Sequence, residues 1–155
     1  MSPLDRKVAD LRDLVAETVR QHQVVDEAVA NGPHIDLTCP ELRLAEYLGD
    51  GGPRIMRELA EFMGLAVNSI TSLIDNLEKK QIVRRQRSEE DRRVVRVELT
   101  DAGKVAYEAA VKEKMRFLRG ILGALTDEEQ DIFIVLFRKI ARAGRSQMQE
   151  MAAAS

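Results

Sequence analysis

Apolar positions recur along this 155-residue chain at two periods, and the change between them marks its parts. Leu4, Val8, Leu11, Val15, Val19, Val25 and Val29, with His22 on the same stripe, fall at three- and four-residue steps. That spacing predicts a first helix over residues 4–30, stopped by Asn31-Gly32-Pro33. At ~1.5 Å per residue the helix is roughly 40 Å long, more than a small domain needs, so it packs against something beyond its own core. Thr38-Cys39-Pro40-Glu41 is a capping box with Pro in the first turn, opening a second helix over 40–49. Gly49-Asp50-Gly51-Gly52-Pro53 ends it. A third helix follows over 54–63, with Ile55, Leu59 and Phe62 inward and Gly64 as its stop. The fourth spans 67–80 on an apolar stripe of Val67, Ile70, Ile74 and Leu77.

From residue 82 the period shortens to two. Residues 82–86 and 94–99 read as strands joined by a charged tip, with Val95, Val97 and Leu99 inward and Arg96 in solvent. Thr100 caps a fifth helix to about Leu122. Thr126-Asp127-Glu128-Glu129 is a second capping box, opening a sixth helix to about residue 149. Ile132, Phe133, Val135, Leu136, Phe137 and Ile140 make that helix apolar almost all round, the mark of burial on more than one side. Residues 151–155 read as a frayed tail. The class is mainly α, an α+β fold.

Charge changes the picture through its distribution. The net value is only −2, yet residues 79–96 hold Lys79, Lys80, Arg84, Arg85, Arg87, Arg92, Arg93 and Arg96 against three acids, a local +5 within a remainder of −7. With one cysteine, Cys39, there is no internal disulfide, and no Cys/His cluster offers a metal site. Two lone histidines, His22 and His34, and no nucleophile–base order give no case for an enzyme or a cofactor. Cys39 reads as a small buried hydrophobe, and His34 as exposed in its breaker loop. The N-terminus lacks a signal-peptide layout, and the apolar run 132–137 is too short for a membrane, so a cytoplasmic protein is expected. Six aromatics without Trp disfavour single-strand binding by stacking.

The third helix, the turn Gly64-Leu65-Ala66 and the fourth helix form a helix-turn-helix candidate. Its second helix would enter the major groove and present Asn68, Ser69, Thr71, Ser72 and Asn76, short side chains able to reach base edges and phosphates. By itself this pattern is also that of two packed helices. The hairpin that follows has the order of a winged helix, and a basic tip suits the negative potential of a narrow minor groove. A merely solvated hairpin with Glu/Arg pairs, at ~0–1 kcal/mol each, leaves so dense a basic run without purpose.

Residues 58–104 resemble the core of the MarR family of winged-helix transcriptional regulators. The resemblance rests on Glu58-Leu59-Ala60, Thr71-Ser72-Leu73-Ile74-Asp75-Asn76-Leu77-Glu78, Asp91-Arg92-Arg93 and Leu99-Thr100-Asp101-Ala102-Gly103. Leu37-Thr38 and Leu125-Thr126 extend it to about residues 35–140. It implies a winged helix-turn-helix DNA-binding domain over 35–103 and a helical dimerisation domain built from 1–34 and 104–150. A homodimer would then meet a near-palindromic double-stranded operator with half-sites roughly 34–36 Å apart or a multiple of that. The resemblance implies a repressor, as most members are, released by a small, often aromatic acidic or phenolic, ligand or by cysteine oxidation.

On the wing, the resemblance assigns Arg93 to the minor groove, Asp91 to holding its basic neighbours, and Arg92 to phosphates, with Arg84, Arg85 and Arg87 as further wing contacts. His22, Arg43 and Tyr47 are candidates for a ligand pocket, although a packed or interface role for His22 is the simpler reading. The sequence departs from the family where Ser72 and Asn76 replace common arginines. It departs again at Gln81, which stands in place of a helix-ending Gly and places a non-Gly residue in a left-handed position, at a cost of ~1 kcal/mol. The Arg-free fourth helix leaves one alternative open, a winged helix that binds a protein instead of an operator.

Overall fold

Most of the helices begin where the sequence supplies a side chain for an unpaired first-turn N–H group. The computed structural model describes residues 2–32, 35–88, 91 and 93–154. They form α1 (Pro3–Ala30), α2 (Cys39–Gly51), β1 (Arg54–Ile55), α3 (Met56–Met63), α4 (Val67–Lys79), β2 (Val83–Arg87), β3 (Val95–Leu99), α5 (Asp101–Leu122) and α6 (Asp127–Ala153). Capping boxes at Thr38 and Thr126 open α2 and α6, and a third, Ser2 with Asp5, opens α1. At α3 the Glu58 carboxylate accepts the Ile55 N–H at 2.9 Å. His34 lies outside the described residues.

The chain forms two compact units, Met1–Lys114 and Met115–Ser155. In the first, Leu42, Leu44, Leu59, Ile70, Ile74, Leu77 and Val97 are fully buried, drawn from α2, α3, α4 and β3. The second unit holds the end of α5, a turn in which the Gly123 N–H reaches the Arg119 carbonyl at 2.9 Å, and α6. None of the described residues of α6 is buried in the single chain; Phe133 and Phe137 stack at 5.5 Å on its surface. The helix continues to Ala153, so most of the expected tail is helical. Among the described residues no helix is long and apolar enough to cross a membrane.

Three differences from the sequence reading have local causes. Residues 54–55 are not helical: they pair antiparallel with β3, Arg54 opposite Val97 and Ile55 opposite Arg96, in a sheet ordered β1-β3-β2. Phe62 is exposed and stacks on Tyr47, while Met63 takes the partly buried place. Val67, at the first position of α4, is 49% exposed, and Leu73 packs on the core instead.

The junction of α4, β2 and α5 is tightly knotted. Gln81 does adopt φ 60°, the left-handed value expected where Gly is missing. The Ile82 carbonyl then accepts the Thr100 N–H at 3.0 Å, and the Thr100 hydroxyl lies 2.5 Å from the Gln81 carbonyl. The same hydroxyl oxygen accepts the Gly103 N–H at 3.0 Å. A Cβ on Gly103 would sit 2.0 Å from the Ile82 carbonyl oxygen, so only glycine lets α5 approach this closely.

The same end of α4 is also tied to α2. Lys80 donates to the Glu41 carboxylate and to the Asp36 carbonyl, each at 2.9 Å. Glu41 is 2% exposed and also caps α2 through the Thr38 N–H. Burial, the largest influence, would raise the Glu41 pKa, but the Lys80 and Thr38 hydrogen bonds together outweigh it and leave the pKa lowered from 4.5.

Two outcomes follow for stability. Gly103→Ala forces backbone apart and should cost about 3 kcal/mol, read as a lower urea midpoint at unchanged slope. Because Glu41 titrates below its unfolded value, its contribution is whole above pH 4.5 and drains away as pH falls through the lowered value. Glu41→Gln should flatten the loss of stability below that pH in thermal melts; an unaltered slope would refute the coupling.

Candidate nucleic-acid interface

The turn between α3 and α4 depends on Gly64, whose φ of 65° caps α3 in the left-handed region. The Leu65 N–H reaches back to the Ala60 carbonyl at 3.1 Å. α4 then buries Ile70, Ile74 and Leu77 and turns its other side outward. Asn68, Ser72 and Asn76, at four-residue steps, share one exposed face, with Ser69 beside them. Thr71 is half-buried at the edge, its hydroxyl donating to the Val67 carbonyl at 2.9 Å. The Ser72 hydroxyl is only loosely held by the Asn68 carbonyl, at 3.4 Å. The structure thus brings four of the five recognition-helix candidates to one open polar surface.

The wing is the β2–β3 hairpin, with Val83 opposite Leu99, Arg85 opposite Val97 and Arg87 opposite Val95. Opposed residues share a face, so Arg85 points with the buried Val97 toward α4. There its guanidinium holds Asp75 at 2.8 Å and Glu78, and its N–H donates to Glu78 at 3.0 Å. Arg84 and Glu98, on the other face, pair across the strands at 2.6 Å. Of the expected wing contacts, these two arginines are therefore engaged within the protein.

At the tip the Val94 N–H donates to the Asp91 carbonyl and the Ser88 N–H to the Val94 carbonyl, each at 2.9 Å. The Asp91 carboxylate accepts the Arg93 N–H at 2.9 Å. Asp91 thus holds the backbone of its basic neighbour, leaving the exposed Arg93 side chain without an ion pair among the described residues. Arg87 is exposed in the same way. So is Arg96, which the sequence reading placed in solvent but not among the contacts. Arg92 lies outside the described residues.

A cleft of about 930 Å³ opens in the first unit and is lined by all three ligand candidates, His22, Arg43 and Tyr47. Tyr47 and Phe62 stack at 3.9 Å with ring planes 4° apart, and the Arg43 guanidinium stands 5.7 Å over Phe62. Lys114 bridges Asp26 and Glu46, each at 2.7 Å. Burial, the strongest effect, would lower the Lys114 pKa, yet its two carboxylate partners win and raise it. His22 is mostly exposed, 3.6 Å from Asp26, and so is not packed in this chain. Cys39 is half-buried at the cleft instead of enclosed in the core. Sequence reasoning missed Phe62 and Lys114 here, because nothing in the local pattern of either signals a cleft. Among the described residues no group of His, Cys, Asp and Glu is arranged to hold a metal.

This architecture has known counterparts. The profile of the MarR family matches residues 37–95. The HTH-type transcriptional regulator YpoP of Bacillus subtilis is 30% identical over 105 residues, covering 68% of this chain and 74% of YpoP. YfiV of the same organism is 33% identical over 96 residues, covering 62% of this chain and 60% of YfiV. The chain thus matches less than two thirds of the length of some relatives. Among solved structures, a MarR family protein from Bacillus stearothermophilus superposes with a TM-score of 0.82 at 29% identity, over 94% of this chain and 99% of that one. Streptococcus pneumoniae FabT in complex with DNA shares the fold, with a TM-score of 0.79 at 18% identity over 90% and 98% of the two chains. By its sequence and by the winged helix that α3, α4 and the β2–β3 hairpin build, the chain belongs to the MarR family of transcriptional regulators.

Proposed function

We propose that the protein is a homodimeric repressor that binds a near-palindromic double-stranded DNA operator and is released by a small aromatic or phenolic ligand. One observation carries the DNA reading: α4 exposes the uncharged polar side chains Asn68, Ser69, Ser72 and Asn76, and the hairpin that follows it has a tip whose backbone Asp91 fixes, leaving Arg93 exposed and unpaired among the described residues. Asn68, Ser69, Ser72 and Asn76 would read the major groove, and Arg93 the minor groove, with Arg87 and Arg92 on phosphates. Holding the tip before binding reduces the ordering cost of a long side chain.

The dimer is supported by apolar surface with no cover in the single chain. Leu4, Val8, Leu11, Val15 and Val19 on α1 are each at least half exposed, as are Ile132, Val135, Leu136, Phe137 and Ile140 on α6. Exposed stripes of this kind mark an interface. On this reading residues 1–34 and 104–150 form the dimerisation domain and 35–103 the DNA-binding domain. The aromatic cleft with Arg43 at its wall is suited to a planar ligand, and a carboxylate or phenolate would meet that guanidinium.

A second reading, a protein-binding winged helix, is favoured by one fact: residues 63–78 contain no Lys or Arg. It makes the exposed wing arginines dispensable.

Selection from random duplex DNA, followed by titration at several salt concentrations, decides between the readings. Arg93→Ala should weaken binding about tenfold, flatten the preference for A·T at the wing positions and reduce the salt slope by about one phosphate contact. Selection that enriches no operator would sink the DNA reading. Repeating the titration with a panel of aromatic acids and phenols tests release. Tyr47→Ala should abolish the response to any active compound while leaving ligand-free operator binding within about twofold.

A further inference from the structure

The inward arginine of the wing, Arg85, is a basic residue of the hairpin that the DNA reading does not absorb. Arg85 lies on the face of β2 that carries Val83 and is opposed by Val97, both buried. A charge on that face needs partners, and α4 supplies two of them one turn apart, Asp75 and Glu78. Glu78 accepts from both the guanidinium and the main-chain N–H of Arg85, so the strand itself is held to the helix. The Arg85 side chain is 28% exposed, against 49% and 33% for Asp75 and Glu78. A planar guanidinium with donors spread in a fixed fork can hold two carboxylates at once, and so sets an angle as well as a distance.

We infer that Arg85 is a positioning residue. It locks the wing to the recognition helix through Asp75 and Glu78, so that α4 and the tip reach their two grooves in a fixed register. It makes no phosphate contact of its own. A two-point reader gains from such a lock, because a hairpin free to swing must be ordered each time it binds. The inference rests on the operator-binding reading above.

The test uses the full chain and the operator selected for it, at temperatures well below each variant's unfolding midpoint. Two variants make opposite demands on the idea. The paired change Asp75→Asn with Glu78→Gln removes two negative charges near the DNA. If Arg85 is a DNA contact, this frees it and binding tightens. If Arg85 is a lock, binding weakens about five- to tenfold and discrimination at the wing positions falls. Arg85→Met keeps the aliphatic stem, and the lock predicts the same loss with an unchanged salt slope. A slope smaller by about one would mean a lost phosphate contact and overturn the proposal. Combining all three changes should weaken binding no further than either set alone; additive losses would also overturn it. If the unaltered protein selects no operator, the DNA reading itself falls and this inference with it. If the protein selects one and the acid-removed variant binds it equally well or better, the inference alone is wrong.

Discussion

The close approach of α5 to the Ile82 carbonyl is the constraint on which the first unit turns. Recognition helix, wing and the long fifth helix all meet at that one peptide. Its oxygen takes the Thr100 N–H, closing the base of the hairpin, and the Thr100 hydroxyl caps α5 through Gly103. The missing side chain at Gly103 lets this happen without moving backbone. Upstream, Gln81 bends the chain out of α4 at φ 60° so that the Ile82 N–H can return to the Leu77 carbonyl at 2.9 Å. The left-handed residue costs on the order of 1 kcal/mol, and the hydrogen bonds on either side of it offset that cost.

Charge is divided between two tasks. Of the basic residues in the 79–96 run, Lys80 is tied to Glu41, Arg84 to Glu98, and Arg85 to Asp75 and Glu78. What remains exposed and without an ion pair among the described residues includes Lys79, Arg87, Arg93 and Arg96. A formal count therefore overstates the field that a nucleic acid would meet. It also obscures that the acids of α4, which look unfavourable on a DNA-reading helix, are partly neutralised from behind by the wing. The sum of charges near a surface is less informative than which of them have partners.

Much of the fold was legible, for local reasons. Capping boxes at Thr38 and Thr126 act within four residues, and the alternation of Val95, Val97 and Leu99 is a strict two-residue period; each is written into a short stretch. β1 was not legible, because two residues show no period. The second strand, Val-Arg-Arg-Gln-Arg, holds a single apolar residue, so nothing in it revealed which arginine faces inward. That follows only from the register with β3, a long-range fact. Gln81 is the opposite case: the family resemblance marked it as standing where a helix-ending Gly is usual, and its backbone is left-handed. His22, Arg43 and Tyr47 do line one cleft, but Phe62 and Lys114 stayed hidden because they come from distant helices and satisfy no local rule.

The cleft and the DNA-facing helix share their supports. Tyr47 lies on α2, and its stacking partner Phe62 lies on α3, two residues before the Gly64 bend that launches α4. The N-terminus of the same α2 is joined through Glu41 to Lys80 at the far end of α4. The recognition helix is thus held at its start by a helix that touches the cleft and at its end by an ion pair to the helix that lines it. A planar ligand entering between Tyr47 and Phe62 must separate two rings now 3.9 Å apart. The core between α2 and α4, built on fully buried Leu44, Ile70 and Ile74, cannot yield by compression. On the proposed reading of the cleft, the displacement would pass to the Gly64 turn, whose residues 64–66 are exposed. Release would then come from tilting the start of α4, with its Lys80 end as the pivot.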